Sequence, residues 1–219
     1  MITVPEMARK HLREFPLLEE AIARGLINLS ALARELQPGI EAELGKTVSA
    51  ASITMALKRL LPEIERKAGR KIAGASRKLG DLTVRSNLVE FTFRHSDAIW
   101  EKQKRLLHRL ERDREVFLTF TQGVFEVMLI ASAGLERDIL EIFGGDMVIS
   151  HVKGLSAIVI RLSPRTVHIP GVYYSILKQL AWGDVNVVDV VSTFTEFTIL
   201  IEKAQIDRAF SILTRYLWP

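Results

Sequence analysis

Hydrophobic positions in the first third of the chain recur at helical spacing. Pro16 suits the first turn of a helix, and Leu17, Leu18, Ala21 and Ile22 line one side of it up to Gly25, which can end it. Ser30 is a good N-cap for a second helix with Leu32, Ala33 and Leu36 facing inward, and Pro38 is expected to stop it. A short segment from Ile40 to Leu44 ends at Gly45. Ser49 then caps a third helix with Ile53, Leu57, Leu60 and Leu61 on one side and Ala51, Thr54, Met55, Lys58 and Arg59 on the other. Beyond it, Asp81 to Arg85 and Leu88 to Phe93 read as two strands joined at Ser86-Asn87, a turn pair.

Three helices followed by a hairpin are the element order of a winged helix-turn-helix. The segment INLSALARELQPGIEAELGKTVSAASITMALKRL resembles that family in its Ser-capped helix, its Leu-Ala pair and its closing Leu-Lys-Arg-Leu. The resemblance implies a third helix in the major groove and a wing on the DNA backbone. Charge sharpens the expectation. The net charge of +4 conceals a surplus of +5 in residues 1 to 80, concentrated in Lys58 to Lys78, where eight basic residues face only Glu63 and Glu65. Such an excess suits phosphate contacts. The candidate DNA-binding residues are therefore Ser49, Ala51, Thr54, Met55, Lys58 and Arg59 on the helix, with Lys71, Arg77, Lys78 and Arg85 beyond it. Two departures stand against sequence-specific readout: the turn before the third helix is long, and Ser49 to Ser52 offer no Arg, Asn or Gln to grip a base edge. Binding of double-stranded DNA and a purely protein-contacting role both stay open.

From residue 88 onward strand and helix patterns alternate and repeat. A shift of 71 residues lays Thr121 to Ile142 on Ser192 to Leu213 without a gap, with Leu129 and Ile130 on Leu200 and Ile201, and Arg137 on Arg208. The first copy reads as strand 88–93, helix 97–112, strands 115–121 and 124–131, helix 135–143 and strand 147–153. The second reads as strand 155–162, helix 171–182, strands 185–193 and 196–202 and helix 205–217, with no clear final strand. Strand 147–153 thus has two homes open to it, its own sheet or an edge shared with the second copy. The βαββαβ order is ferredoxin-like.

Within the second copy, VHIPGVYYSILKQLAWGDVNVVDVVSTFTEFTILIEK resembles an ACT domain of the kind attached to aspartate kinases. The matching features are Pro170-Gly171-Val172 opening the first helix, Asn186-Val187 leading into the second strand, and Ser192-Thr193 turning toward Glu196 and Phe197-Thr198-Ile199. The resemblance implies an amino-acid ligand held by His168, Ile169, Pro170, Gly171 and Val172 together with Asn186 and Val187, at an interface between ACT units. Gly171 allows close approach to the backbone, and the helix amides that follow offer donors to a carboxylate. His168 stands where the family often carries an acid, so recognition of an α-amino group by a carboxylate is in doubt. In the first copy Ile99-Trp100 fall on Pro170-Gly171, and the indole is expected to fill the space.

The remaining observations exclude. Zero cysteines remove disulfides and thiolate chemistry, and the five histidines (His11, His95, His108, His151 and His168) are scattered. Gly144-Gly145 has no phosphate-loop lysine after it, and the kinase half of an aspartate kinase is missing, so no enzyme and no cofactor is expected. The longest apolar stretch, Val124 to Leu135, carries Glu126, and Met1 to Lys10 lack a secretory h-region, which makes a cytoplasmic protein without a membrane span the expectation. The 219 residues thus read as α+β: a winged helix-turn-helix over 1–87, and ACT-like units over 88–153 and 154–219. The expected function is a dimeric, amino-acid-responsive transcriptional regulator. The alternative is an amino-acid-binding or oligomerisation protein that acts on a partner enzyme without DNA.

Overall fold

The computed structural model describes residues 3–76, 79–110, 116–144 and 148–218, which form two compact units divided between Ala75 and Ser76.

The first unit is helical: α1 (Val4–Arg13), α2 (Pro16–Ala23), α3 (Leu29–Leu44) and α4 (Ala50–Ser76). Gly25, in the left-handed region at φ 68°, ends α2 as its position suggests. Asn28, not Ser30, caps α3: its Oδ1 accepts from the amides of Ser30 (3.0 Å) and Ala31 (3.1 Å). Pro38 does not stop α3. The helix runs through it to Gly45 because Leu36 and Ile40, on either side, are buried in the core. The lost hydrogen bond is further offset where Gln37 donates to Val48 O (2.9 Å) and the Val48 amide donates to Glu41 Oε1 (2.8 Å). Gly39 matters sterically, since a Cβ there would lie 2.9 Å from His11 Cε1 on α1. Ser49 caps α4 as expected, accepting from the Ser52 amide at 3.2 Å.

The expected wing is absent. Residues 79–94 form one strand, β1 (Leu79–Arg94), and belong to the second unit, so both the winged helix-turn-helix and its 1–87 boundary are corrected to a helical unit ending before the sheet. Asn87 does take a turn residue's conformation (φ 58°), but it forms a bulge inside β1 instead of reversing the chain.

The second unit continues with α5 (Ile99–Leu110), β2 (Leu118–Gln122), β3 (Glu126–Ser132), α6 (Glu136–Phe143), β4 (Val148–Leu162), α7 (Val172–Trp182), β5 (Asp189–Ser192), β6 (Glu196–Glu202) and α8 (Ile206–Leu217). Its six strands make one antiparallel sheet in the order β2-β3-β1-β4-β6-β5. Strands 147–153 and 155–162 are thereby a single β4, bulged at Gly154 (φ 70°). The half of β4 before the bulge pairs with Glu90–Phe93 and completes the first ACT-like unit. The half after it pairs with Leu79–Arg85, which supplies the final strand that the second copy lacks.

The repeat is real, but its register differs by one residue. Gln122↔Val127 in the first hairpin corresponds to Ser192↔Phe197 in the second, a shift of 70. The shift of 71 follows the matching Leu-Ile dipeptides. The structure instead equates Ile130 with Leu200 and Leu129 with Ile199, because strand faces alternate and a one-residue slip would turn every core residue outward. In the long strands the shift is 67, equating Leu88 with Leu155 and the bulge residue Asn87 with Gly154. Since Leu88 also pairs with Leu155, the pseudo-two-fold axis passes between these two side chains.

Both helix pairs cover one face of the sheet, each over its own core: Phe91, Leu129 and Ile139 in the first copy, Ile158, Ile199 and Leu213 in the second. The other face is curled. Leu88, Ile130, Leu155, Ala157 and Leu200 cluster at the axis, and Phe117 from one end of the sheet and Val188 from the other both pack on them.

Candidate functional site

The segment from Ser163 to Gly171 links β4 to α7. Pro164–His168 form one tight turn, with Ser163 accepting from the Arg165 amide, Thr166 Oγ1 donating to Ser163 O, and the Ile169 amide donating to Thr166 O (3.0 Å). Thr166 is buried beneath the loop and Ile169 packs on the second core, so the segment is anchored from below while His168, Pro170 and Gly171 stay exposed. Gly171 sits at φ 88°, where a side chain is strained, and a Cβ there would meet nothing within 4 Å. Space is therefore open above the first turn of α7. Val172, the first helical residue, is buried, and the Gly171 carbonyl accepts from the Ser175 amide (2.9 Å). The next amides point out of the helix end. The loop carries Arg165 and His168 and no carboxylate, which favours the anionic end of a ligand.

Asn186 and Val187 precede β5. The Asn186 amide donates to Gln205 Oε1 (3.2 Å) and its side chain is exposed. Val187 packs on the same core as Ile169 and Val172, so one hydrophobic cluster carries both segments. At the head of α7 Tyr173 tilts over Phe197 at 4.5 Å, and Lys178 lies 6.0 Å from the ring of Tyr174.

The first copy is built differently. Only four residues, His95–Ala98, link β1 to α5, and Ile99, fully buried, takes the place of Val172. Trp100 does not fill a ligand space as expected; it is 56% exposed, and the loop before it is shorter than Ser163–Gly171. Gln122 Nε2 donates to His95 Nε2 at 2.8 Å across that loop.

The candidate DNA-binding residues do not share one surface element. Ala51, Met55, Lys58 and Arg59 are exposed on α4, whereas Thr54 is half-buried with its hydroxyl donating to Ala50 O (2.8 Å) and Ser49 is occupied as the cap. Arg85, expected on a wing, is exposed on β1 opposite Ala157. Lys71 lies in α4 with its side chain outside the described residues, as are Arg77 and Lys78 entirely.

Sequence reasoning passed over Glu90 and His151. Glu90 reads as an outward polar residue between Val89 and Phe91, yet it is 8% exposed. His151 stacks on Phe91 (4.0 Å) and lies 3.6 Å from Glu136, which also pairs with Lys153. Among the described residues no group of three or more His, Cys, Asp or Glu could hold a metal, and no helix is long and apolar enough to cross a membrane.

No protein-family model and no curated protein matches the chain. Solved structures do. The regulatory subunit of aspartate kinase from Thermus thermophilus is 12% identical at a TM-score of 0.52, over 64% of this chain and 99% of that one. Aspartate kinase from Clostridium acetobutylicum is 15% identical at 0.51, over 64% of this chain. The Synechocystis enzyme is 14% identical at 0.51, over 65%. The chain spans only 35% of the Clostridium enzyme and 27% of the Synechocystis one. At these identities the likeness establishes fold alone: the chain's curled antiparallel sheet resembles that of the ACT regulatory domains of aspartate kinases.

Proposed function

We propose that the chain is an amino-acid-responsive regulatory protein without catalysis of its own, acting as a dimer on a partner protein, and that its ligand binds in the second ACT-like unit. The observation that carries this reading is the open, positive-φ Gly171 at the head of α7, present in one copy of the repeat alone. Its carboxylate would meet the α7 amides, and the side-chain amide of Asn186, which lies at the far end of α7, would hold the amino end from the partner copy of the dimer in place of an acidic residue.

Thermal unfolding against each of the twenty amino acids tests it. A bound amino acid at a hundredfold excess over its Kd is expected to add about 2.7 kcal/mol. Gly171→Val should abolish that gain by blocking the approach, Asn186→Ala should reduce it by about 1 to 3 kcal/mol through an unpaired ligand group, and Trp100→Ala should leave it intact. If no amino acid raises the midpoint, the reading fails. Loss of binding in Trp100→Ala with retention in Gly171→Val would assign the site to the first copy.

With the wing absent, the exposed face of α4 around Met55, Lys58 and Arg59 is assigned to protein contact. Salt-sensitive retardation of duplex DNA, weakened by Lys58→Ala with Arg59→Ala, would restore the DNA-binding reading.

A further inference from the structure

Glu90 is a carboxylate in an apolar place. Val89 and Phe91 face the helices, so Glu90 faces the curled side of the sheet with Leu88. It is 8% exposed and its Oε2 has no hydrogen-bond partner. The pseudo-symmetric position holds Ala157, so the fold itself does not require an acid there.

Among the described residues its surroundings are uncharged on nearly every side. By register, β2 presents Thr119 and Thr121 to this face, β3 Met128 and Ile130, β4 Ser150 and Val152, and β6 Thr198 and Leu200. The exception is β5, where Asp189 pairs with Leu200 and therefore shares the face. Val188 and Val191, on either side of Asp189, pack on the cluster that also contains Leu88, and the Asp189 charge acts on Glu90 across it although two strands separate β5 from β1 in the sheet. The other charges on this face are exposed: Arg85 and Glu202 beside the cluster, and the Arg94–Glu126 and Arg161–Glu196 strand pairs at its ends. Burial, and secondarily Asp189, holds the Glu90 carboxyl above its ordinary 4.5.

An ionised Glu90 can be relieved only by water or by distance from Asp189. β1 is fixed between two neighbours, whereas β5 is a four-residue edge strand bonded to β6 alone. We propose that Glu90 and Asp189 make β5 a pH-operated edge: ionisation of Glu90 lifts β5 from the curled face, and protonation lets it close. The closed edge is fully stable below the ordinary glutamate value and is lost as pH rises through the raised one. Asn186 and Val187 lie just before β5, so ligand affinity should follow the same protonation; that extension rests on the ligand reading above, whereas the edge motion does not.

Hydrogen exchange of the full chain at pH 5 and pH 8, corrected for intrinsic rates, tests the proposal. The Val188 amide, which donates to Leu200 O (2.8 Å), and the β5 amides should be about tenfold less protected at pH 8, with the α6 amides unchanged. Glu90→Gln should remove the difference, and the milder Asp189→Asn should shrink it. Equal protection at both pH values, or a difference that persists in both variants, overturns the proposal. A pH-dependent β5 in a protein that binds no amino acid would uphold it while sinking the ligand site.

Discussion

Phe91→Ala is expected to destabilise the protein by about 3 to 5 kcal/mol. The ring is fully buried, stacks on Phe93 at 5.8 Å and His151 at 4.0 Å, and Phe93 in turn stacks on Phe143 at 4.6 Å. Removing it opens a cavity in an aromatic row packed within the first core. A second signal separates this from general loosening. Burial, with Lys153 adding and Glu136 opposing, holds the His151 pKa below its ordinary 6.5. A neutral folded His costs stability as pH falls below that value, since the unfolded chain then binds the proton more readily. With Phe91 gone and water admitted, the His151 pKa should move back up, and the acid loss of stability should become shallower. Urea titrations across pH 5 to 8, with NMR titration of the imidazole, measure both; an unmoved His151 would mean that the ring is not what dries it.

Leu155→Ala should cost about 2 to 5 kcal/mol and should weaken both copies of the repeat together. Leu155 is fully buried on the pseudo-two-fold axis, paired with Leu88 on one side and with Glu202 on the other. Each long strand serves both ACT-like units, so a cavity at the axis has no unit to itself. Exchange of the Leu129 amide in the first copy and the Ile199 amide in the second should accelerate by the same factor in the variant. Acceleration confined to one of them would show that the two units unfold independently.

The elements of the sheet unit were legible because period-two runs and apolar stripes are local signals, and α6, α7, β3 and β6 fall near their expected places. What failed was pairing. Ser86-Asn87 carries real turn chemistry, since Asn tolerates positive φ, but a bulge and a reversal use the same residue, and only the partner strand decides between them. Pro38 failed for the opposite reason: a local penalty was outweighed by burial of Leu36 and Ile40, which no local window contains. At the candidate site Gly171 was legible as a residue that backbone geometry demands. The exposure of Trp100 was not, because it depends on a loop whose length differs between the two copies, which one uniform shift of 71 cannot register.

The completion of the second ACT-like unit by Leu79–Arg85 also separates the order of synthesis from the order of assembly. Arg85 pairs with Ala157, 72 residues later in the chain. At translation rates of about 5 to 20 residues per second, the first half of β1 waits roughly 4 to 15 s for its neighbour to exist. Asp81 and Arg85 interrupt its apolar residues and keep the waiting segment from pairing with other chains. The second ACT-like unit cannot close from residues 154–219 alone, so a nascent chain that has finished its first ACT-like unit still carries, ahead of it, the strand on which the last one will be built.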